Sequence, residues 1–377
     1  MSVIKMQTVS RPEVQTHIEI GAGLWGRVRD ALEQNLTGHM PRRFFLIADE
    51  ALPEKRLAAL KDQINVAGQI LVKGGDGNKS FQQLQTVCES LAQAGIRRDD
   101  AVLAAGGGVT GDLAGMAAGI MLRGIPVVQL PTTLLAMADS AVGGKTGVNL
   151  AAGKNLAGVF HHPAAVLMDP EILETLPDRE WRAGYAEIVK AGLIKDGEFF
   201  ELLEANHHSA LKDDIKLLQH IIERAVKIKV GIVQDDPCET SGQRVLLNLG
   251  HSFGHAIEAA YAYDGRVLHG EAVAVGLVLA AELSCDIVSM SRRDVARIRD
   301  HLATAGLPTE LSDLPEGETL DLSNLVRLMR TDKKSDWEGM NFITLAQPGQ
   351  ARLSRNIPQE KILDVLNRNL KSKDKYG

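Results

Sequence analysis

The sequence predicts two unlike halves: an α/β, Rossmann-like N-terminal domain with a parallel sheet over residues 1–176, then an all-α C-terminal domain over residues 177–377. Three observations carry that reading. Short apolar runs ending in Asp, Gly, Pro or Thr alternate with helix-period stretches as far as Leu176, the pattern of β-α-β units. Gly106, Gly107 and Gly108, with Gly111, follow one of those runs and open a helical stretch. Past Leu176-Pro177 the text keeps helical period almost throughout.

In chain order, the strand-like runs are RRFFLIADE, GQILVKGGDG, DDAVLAAGGG, IPVVQLPTT and AAVLMDPE, with KRLAALKDQI and FQQLQTVCESLAQAG as intervening helices. In the second half REWRAGYAEIVKAGLI, DDIKLLQHIIERAVKIKVGIV and EAVAVGLVLAAELSCDIV are the clearest helices. A chain of 377 residues with 45% apolar content can build the cores of two domains. Its longest apolar run, AVAVGLVLAA from Ala272, is about half the length a bilayer requires, so no membrane association is expected. MSVIKMQTVSRPEV lacks the apolar core of a secretory signal, and Cys88, Cys238 and Cys285 are too scattered for a disulfide framework, which points to the cytoplasm. A net charge of -6 and 4% aromatic residues argue against nucleic-acid binding. Any anionic ligand must therefore be met by basic residues gathered locally.

The glycine turn has the context a dinucleotide pyrophosphate needs: bare backbone and the positive end of a helix facing the phosphates. No acidic residue ends the next strand, which closes at Gln129, so Asp49 and Asp76, both in strand-end turns, are the candidates for the ribose. GGKTG resembles the end of a nucleotide-triphosphate loop, but Asp139 stands where that loop requires its first glycine. Lys145, Lys154 and Asn155 are read into glycine-broken loops. Glu187 and Lys190, three apart in an otherwise apolar helix, are expected to be buried and paired. His251 and His255 share a helix face, but Ser252 follows the first, so the general base of the zinc-protease pattern is missing. With His269 and Glu187 they make four candidates for a catalytic metal site of three protein ligands, and spacing does not choose among the histidines.

From Asp49 to Lys334 the chain resembles 3-dehydroquinate synthase. The resemblance is carried by GGGVTGDLAG, RGIPVVQLPTTLLAMADSAVGGKTGVN, GKNLAGVFHHP, LPDREWRAGYAEIVKAGLI, LLNLGHSFGHAIE, LHGEAVAVG and DKK, in that order. It implies a dehydroquinate synthase-like fold, with Glu187, His251 and His269 holding zinc or cobalt and His255 contacting substrate. NAD would lie over Gly106, Gly107 and Gly108, with Asp49, Asp76, Lys79, Asp112, Thr132, Thr133, Lys145, Lys154 and Thr175 around it; Asp76 stands where the family usually carries Glu. The substrate, 3-deoxy-D-arabino-heptulosonate 7-phosphate, would be held by Asp139, Lys145, Lys154, Asn155, Lys190, Lys229, Arg244, Asn248, His255 and Lys333. Arg123 would reach the phosphate in the neighbouring subunit of a homodimer. The implied reaction is redox-neutral: a ring hydroxyl is oxidised, phosphate is eliminated, the hydride is returned, and the opened chain closes by aldol addition. The alternatives are another sugar-phosphate cyclase or a metal-dependent polyol dehydrogenase of the glycerol dehydrogenase type.

Overall fold

The five strand-like runs of the first half pair in parallel with a sixth strand, His17–Ile20, that the sequence reading did not mark, and their order sets the position of everything else. The structure, a computed structural model, describes residues 15–36, 40–150, 153–206, 208–239, 242–332 and 339–370. The strands are β1 (His17–Ile20), β2 (Phe44–Asp49), β3 (Val66–Val72), β4 (Ala101–Gly106), β5 (Val127–Pro131), β6 (Lys145–Leu150), β7 (Gly153–Phe160), β8 (Ala165–Met168), β9 (Met340–Leu345) and β10 (Ala351–Ile357). The large sheet runs β1-β8-β5-β4-β2-β3, parallel at every pairing. Helices α1 (Val28–Asn35), α2 (Glu54–Lys61), α3 (Phe81–Gln93) and α4 (Gly108–Ile120) fill the crossovers.

Strands buried on both faces need apolar side chains at every position, and β4 and β5 are buried end to end. Alternate residues then serve different cores. Phe45, Ile47, Val102 and Ala104 pack in a small core with Leu84 and Leu113 of α3 and α4. Leu46, Leu103 and Val128 face the other way, into a core that continues without a break to Tyr185, Phe253 and Leu279 in the helical half.

The chain leaves β2 toward β3 on one side of the sheet and leaves β4 toward β5 on the other. A crevice opens where adjacent parallel strands send their connections in opposite directions, outside the strands' carboxyl ends. Asp49 ends β2 and Gly106 ends β4, so both border that crevice.

After β8 come α5 (Asp178–Lys195), α6 (Gly197–Ala205), α7 (His208–Asp213), α8 (Ile215–Asp235), α9 (His251–Ala260), α10 (His269–Val288), α11 (Arg292–Thr304), α12 (Leu322–Asp332) and α13 (Gln359–Leu370). Asp214 and Ser291 cap α8 and α11 with side-chain oxygens that accept from backbone N–H groups of the first turn. The helical half also contains an antiparallel hairpin, β9-β10. MNFITL is a six-residue run, too short to hold helical period, and its partner is irregular.

Lys145, Lys154 and Asn155 are not in loops, as the sequence reading had them. They lie on a second antiparallel hairpin, β6-β7. The glycines misled because here they permit strand contact rather than break it: a Cβ on Gly158 would stand 2.1 Å from the carbonyl oxygen of Thr146.

Candidate active site

Glu187, His251 and His269 come from three helices and converge. Glu187 is buried in mid α5, while His251 and His269 are the first residues of α9 and α10. Small residues let these helices approach: a Cβ on Gly270 would stand 1.9 Å from the carbonyl oxygen of Ala183, and one on Gly276 would stand 2.2 Å from that of Gly250. The Nε2 atoms of His251 and His269 then lie 3.5 and 3.4 Å from Glu187 Oε1. One donor atom from each of the three residues falls within 4.8 Å of the others.

The other ring nitrogens are spoken for. His251 Nδ1 is 3.2 Å from the carbonyl oxygen of Leu249, to which it can donate, and His269 Nδ1 is 3.1 Å from Glu258 Oε2. Both rings therefore present Nε2 to one point, the orientation metal-ligating histidines adopt. Neither oxygen of buried Glu187 accepts a hydrogen bond of good geometry within the protein, although Oε2 is in ion-pair contact with Lys190. A buried carboxylate so poorly satisfied beside two imidazole nitrogens fits a divalent cation, with oxygen and nitrogen donors whose number, three, leaves one position of a tetrahedral set unassigned.

Burial, reinforced by Lys190, pushes His251 down to about 3, so its ring is neutral and ready to ligate at neutral pH. His269 goes the other way. Burial opposes its charge, but Glu258 and Glu187 outweigh burial and raise it to about 10. A metal entering here displaces that proton.

Beside the triad, Asp139 holds two lysines: Lys229 Nζ donates to its Oδ1 at 2.5 Å and Lys190 Nζ lies 3.7 Å away. Burial works against the Asp139 carboxylate, yet Lys190 and Lys229 hold it far below the usual range. Lys229 itself is lowered, chiefly by burial. Asp139 lies on a π-helical turn, Ala136–Ser140.

Arg244 is buried in the short helix Arg244–Asn248, which also carries Asn248. Its Nη1 and Nη2 donate to the carbonyl oxygens of Pro237 and Gly143 at 2.7 and 2.8 Å, and its buried Nε has no partner. With only neutral acceptors on its side chain, this guanidinium can still receive an anion.

At the crevice, a Cβ on Gly106 would stand 2.6 Å from Thr110, so only glycine fits the turn into α4. The backbone N–H of Thr132 donates to the Gly106 carbonyl at 2.9 Å, and Thr133 Oγ1 accepts from the Ala136 N–H at 3.1 Å. Lys79 pairs with Asp112 and donates to Asn155 Oδ1 at 2.5 Å. Lys154 reaches Asp76 Oδ2 at 2.7 Å and Glu258 Oε1 at 2.5 Å. Asp49 Oδ1 accepts from the Ala51 N–H at 3.0 Å.

His255 sits beside the triad, its ring 5.2 Å from that of His251, but outside the three-residue donor group. Lys145 is half exposed and pairs with Glu239, while the hydroxyl of Thr175 turns back to the Ile172 carbonyl at 3.4 Å. Arg123 is exposed just past α4, in left-handed backbone with φ of 67°. Lys333 lies outside the described residues. Two acidic residues at the site, Glu239 and Glu258, were missed from the sequence. Glu258 is legible in retrospect, since it stands seven residues after His251 and so on the same helix face.

The fold and site are those of a sugar-phosphate cyclase. The solved structure of 2-deoxy-scyllo-inosose synthase complexed with carbaglucose-6-phosphate, NAD+ and Co2+ is similar with a TM-score of 0.82 and 28% identity, over 93% of this chain and 96% of that one. 2-epi-5-epi-valiolone synthase from Streptomyces hygroscopicus subsp. jinggangensis 5008, with NAD+ and Zn2+ bound, is similar with a TM-score of 0.85 and 27% identity, over 98% and 100%. Within that class, the models of the 3-dehydroquinate synthase N-terminal and C-terminal regions match residues 69–183 and 184–335. The 3-dehydroquinate synthase of Rhodopseudomonas palustris (strain BisB18) is 48% identical over 84% of this chain and 83% of its own length. That of Mesorhizobium japonicum is 43% identical over 96% and 95%. The chain belongs to the 3-dehydroquinate synthase family.

Proposed function

We propose that this chain converts 3-deoxy-D-arabino-heptulosonate 7-phosphate to 3-dehydroquinate and phosphate, a carbon-oxygen lyase reaction of the shikimate pathway, with NAD recycled in each turnover. The observation that carries the reading is the convergence of Glu187, His251 and His269 beside Asp139, Lys190 and Lys229. Residues 1–176 are read as the NAD-binding domain and 177–377 as the metal- and substrate-binding domain. Glu187, His251 and His269 would hold zinc or cobalt, and the turn Gly106 to Gly108 would hold NAD; when bound, these would supply Lewis-acid stabilisation of a ring alkoxide and a reversible hydride acceptor.

The chain's own residues do the rest. Arg244 and Lys145 meet the anionic groups of the substrate, and Lys154, Asn155, Asn248 and His255 orient its ring. Lys190, pinned between Glu187 and Asp139, is a fixed positive charge. Lys229, lowered by burial, is the cation of the cluster that most readily gives up a proton. Elimination needs few protein bases because the departing phosphate's own oxygens can take the proton.

Homodimer formation is supported by the exposed apolar residues near Arg123: Phe81 and Ile120 line one surface groove, and Leu122 is its immediate neighbour. A cytoplasmic location is supported by three free cysteines. No helix among the described residues is long and apolar enough to cross a membrane.

The test is phosphate release from the heptulosonate phosphate, with and without chelator and NAD. The reading requires release that depends on both, with no net NADH. Release from a hexose phosphate instead would assign another cyclase, and accumulating NADH with glycerol would assign a polyol dehydrogenase.

A further inference from the structure

Glu258 takes no part in the reaction outlined above, yet it is among the most deeply buried charges at the site, its side chain 2% exposed. Its two oxygens serve different elements. Oε2 lies 3.1 Å from Nδ1 of His269, the first residue of α10, and Oε1 accepts from Lys154 of β7 at 2.5 Å. Lys154 donates in turn to Asp76 Oδ2 at 2.7 Å, in the turn after β3 at the edge of the dinucleotide crevice. We infer that Glu258 is a positioning residue that ties the metal ligand His269 to the β6-β7 hairpin, so that metal loading and dinucleotide binding are coupled through the chain His269, Glu258, Lys154, Asp76. This rests on the cofactor and metal sites proposed above, but not on the identity of the sugar phosphate.

Two physical arguments support the assignment. A buried carboxylate is retained only where both oxygens are well satisfied, and here each is satisfied by a different element. Through the first contact Glu258 orients the ring of His269 and fixes which nitrogen faces Glu187, as carboxylate partners of metal-bound imidazoles do. Through the second it fixes Lys154. A metal that draws His269 toward Glu187 shifts the carboxylate that Lys154 leans on, and the shift passes to Asp76. By reciprocity, a dinucleotide that engages Asp76 must alter metal affinity by the same factor.

The experiment uses the full chain and two binding measurements, neither of which needs turnover. Zinc affinity is read by competition with a chromophoric chelator, and NAD affinity by calorimetry on metal-free and zinc-loaded protein. Glu258→Gln is expected to weaken zinc binding by about 10- to 100-fold, the usual consequence of losing such a partner. In the native protein zinc is expected to change NAD affinity by about fivefold or more, a typical coupling. Asp76→Asn, on a partly exposed turn, cuts only the far end of the chain, so it should keep native zinc affinity while the effect of zinc on NAD affinity disappears. The inference is overturned if E258Q binds zinc as the native protein does, or if zinc leaves NAD affinity unchanged in the native protein, or if D76N retains the full coupling. Should E258Q not fold, the D76N comparison alone decides. Failure of the phosphate-release assay with normal coupling would discard the substrate and leave this inference standing.

Discussion

Replacing Gly270 by Ala adds one methyl group at the point where α10 meets α5. That methyl would stand 1.9 Å from the Ala183 carbonyl oxygen, whereas carbon and carbonyl oxygen approach no closer than about 3.3 Å in ordinary contacts. The two helices must therefore part locally by about 1.4 Å to restore that spacing. Gly270 follows His269 directly and Ala183 lies one turn before Glu187, so the separation falls on two of the three proposed metal ligands. Metal-ligand distances tolerate only about 0.2 Å, so zinc affinity should fall at least about tenfold. A misplacement of about 1 Å at a reacting centre costs about 100-fold in rate, and kcat/KM for phosphate release should fall by that order. Overpacking should also destabilise the fold by about 1–3 kcal/mol. Gly231→Ala is the control with identical chemistry. In α8 a Cβ at Gly231 meets nothing within 4 Å, so that variant should be more stable by about 0.5–1 kcal/mol with unchanged kinetics. Chelator competition, urea unfolding and phosphate release measure all of this. Native zinc affinity and rate in G270A would refute the reasoning that helix contact sets the metal geometry.

Arg244→Lys loses the planar fork that reaches the Gly143 and Pro237 carbonyls, so the ammonium that replaces it should be misplaced for an anion. A lost charged hydrogen bond of about 1.5–3 kcal/mol corresponds to a KM raised roughly 10- to 100-fold; a normal KM with depressed kcat would count against an anion-holding role. If Arg123 serves the neighbouring subunit, inactive R123A and inactive H251A proteins should regain about a quarter of native activity when unfolded and refolded together, because half the dimers then carry one complete site. No recovery on mixing would remove Arg123 from the partner's site. Asp100, its side chain fully buried, accepts from Arg43 at 2.6 Å and from the Arg97 N–H at 2.8 Å. Burial alone would raise its carboxyl, but these partners hold it below the ordinary value. Its contribution is therefore present at neutral pH and lost as pH falls below about 4, through the lowered folded-state value. The stability gap between native protein and D100N, followed by urea unfolding from neutral to acid pH, should close in that direction; a gap that widens in acid would contradict the assignment.

The parallel strands were readable because strands buried on both faces must be apolar throughout, as AVLAAG and VVQLP nearly are. The glycine turn was readable for a similar reason, since the Gly106 backbone must clear Thr110. The proposed metal ligands were readable as residue types, but spacing did not choose among them and only the resemblance did: His251 and His255 differ in which is aimed at Glu187, and that depends on where α10 places His269. The β6-β7 hairpin was hidden because GGKTGVN and GKNLAGVF use glycine for close strand contact, which in sequence looks like a broken loop. Glu258 shares the helix face of His251 and was readable to that extent, but the pairing of Glu258 and of Glu239 with a lysine was hidden, because an acidic residue facing a distant lysine carries no local signature of that partner. Their partners, Lys154 and Lys145, are 104 and 94 positions away.

The same pairings explain how a chain of net charge -6 can take a doubly charged phosphate. Lys154, Lys190 and Lys229 pair with Asp76, Asp139, Glu187 and Glu258 in one cluster, and the proton on His269 supplies the fourth positive charge. That balance is what a buried site needs when no anion is bound, because uncompensated cations would repel one another in low dielectric. A divalent ion that replaces the His269 proton raises the charge of the cluster without moving any lysine. Glu187 and Glu258, which otherwise share the His269 proton as well as Lys190 and Lys154, then face a larger positive charge. Each lysine gives up less to its carboxylate and has more to offer the substrate. On this reading the basicity a phosphate needs depends on the metal that Glu187 would hold, and not on the number of lysines alone.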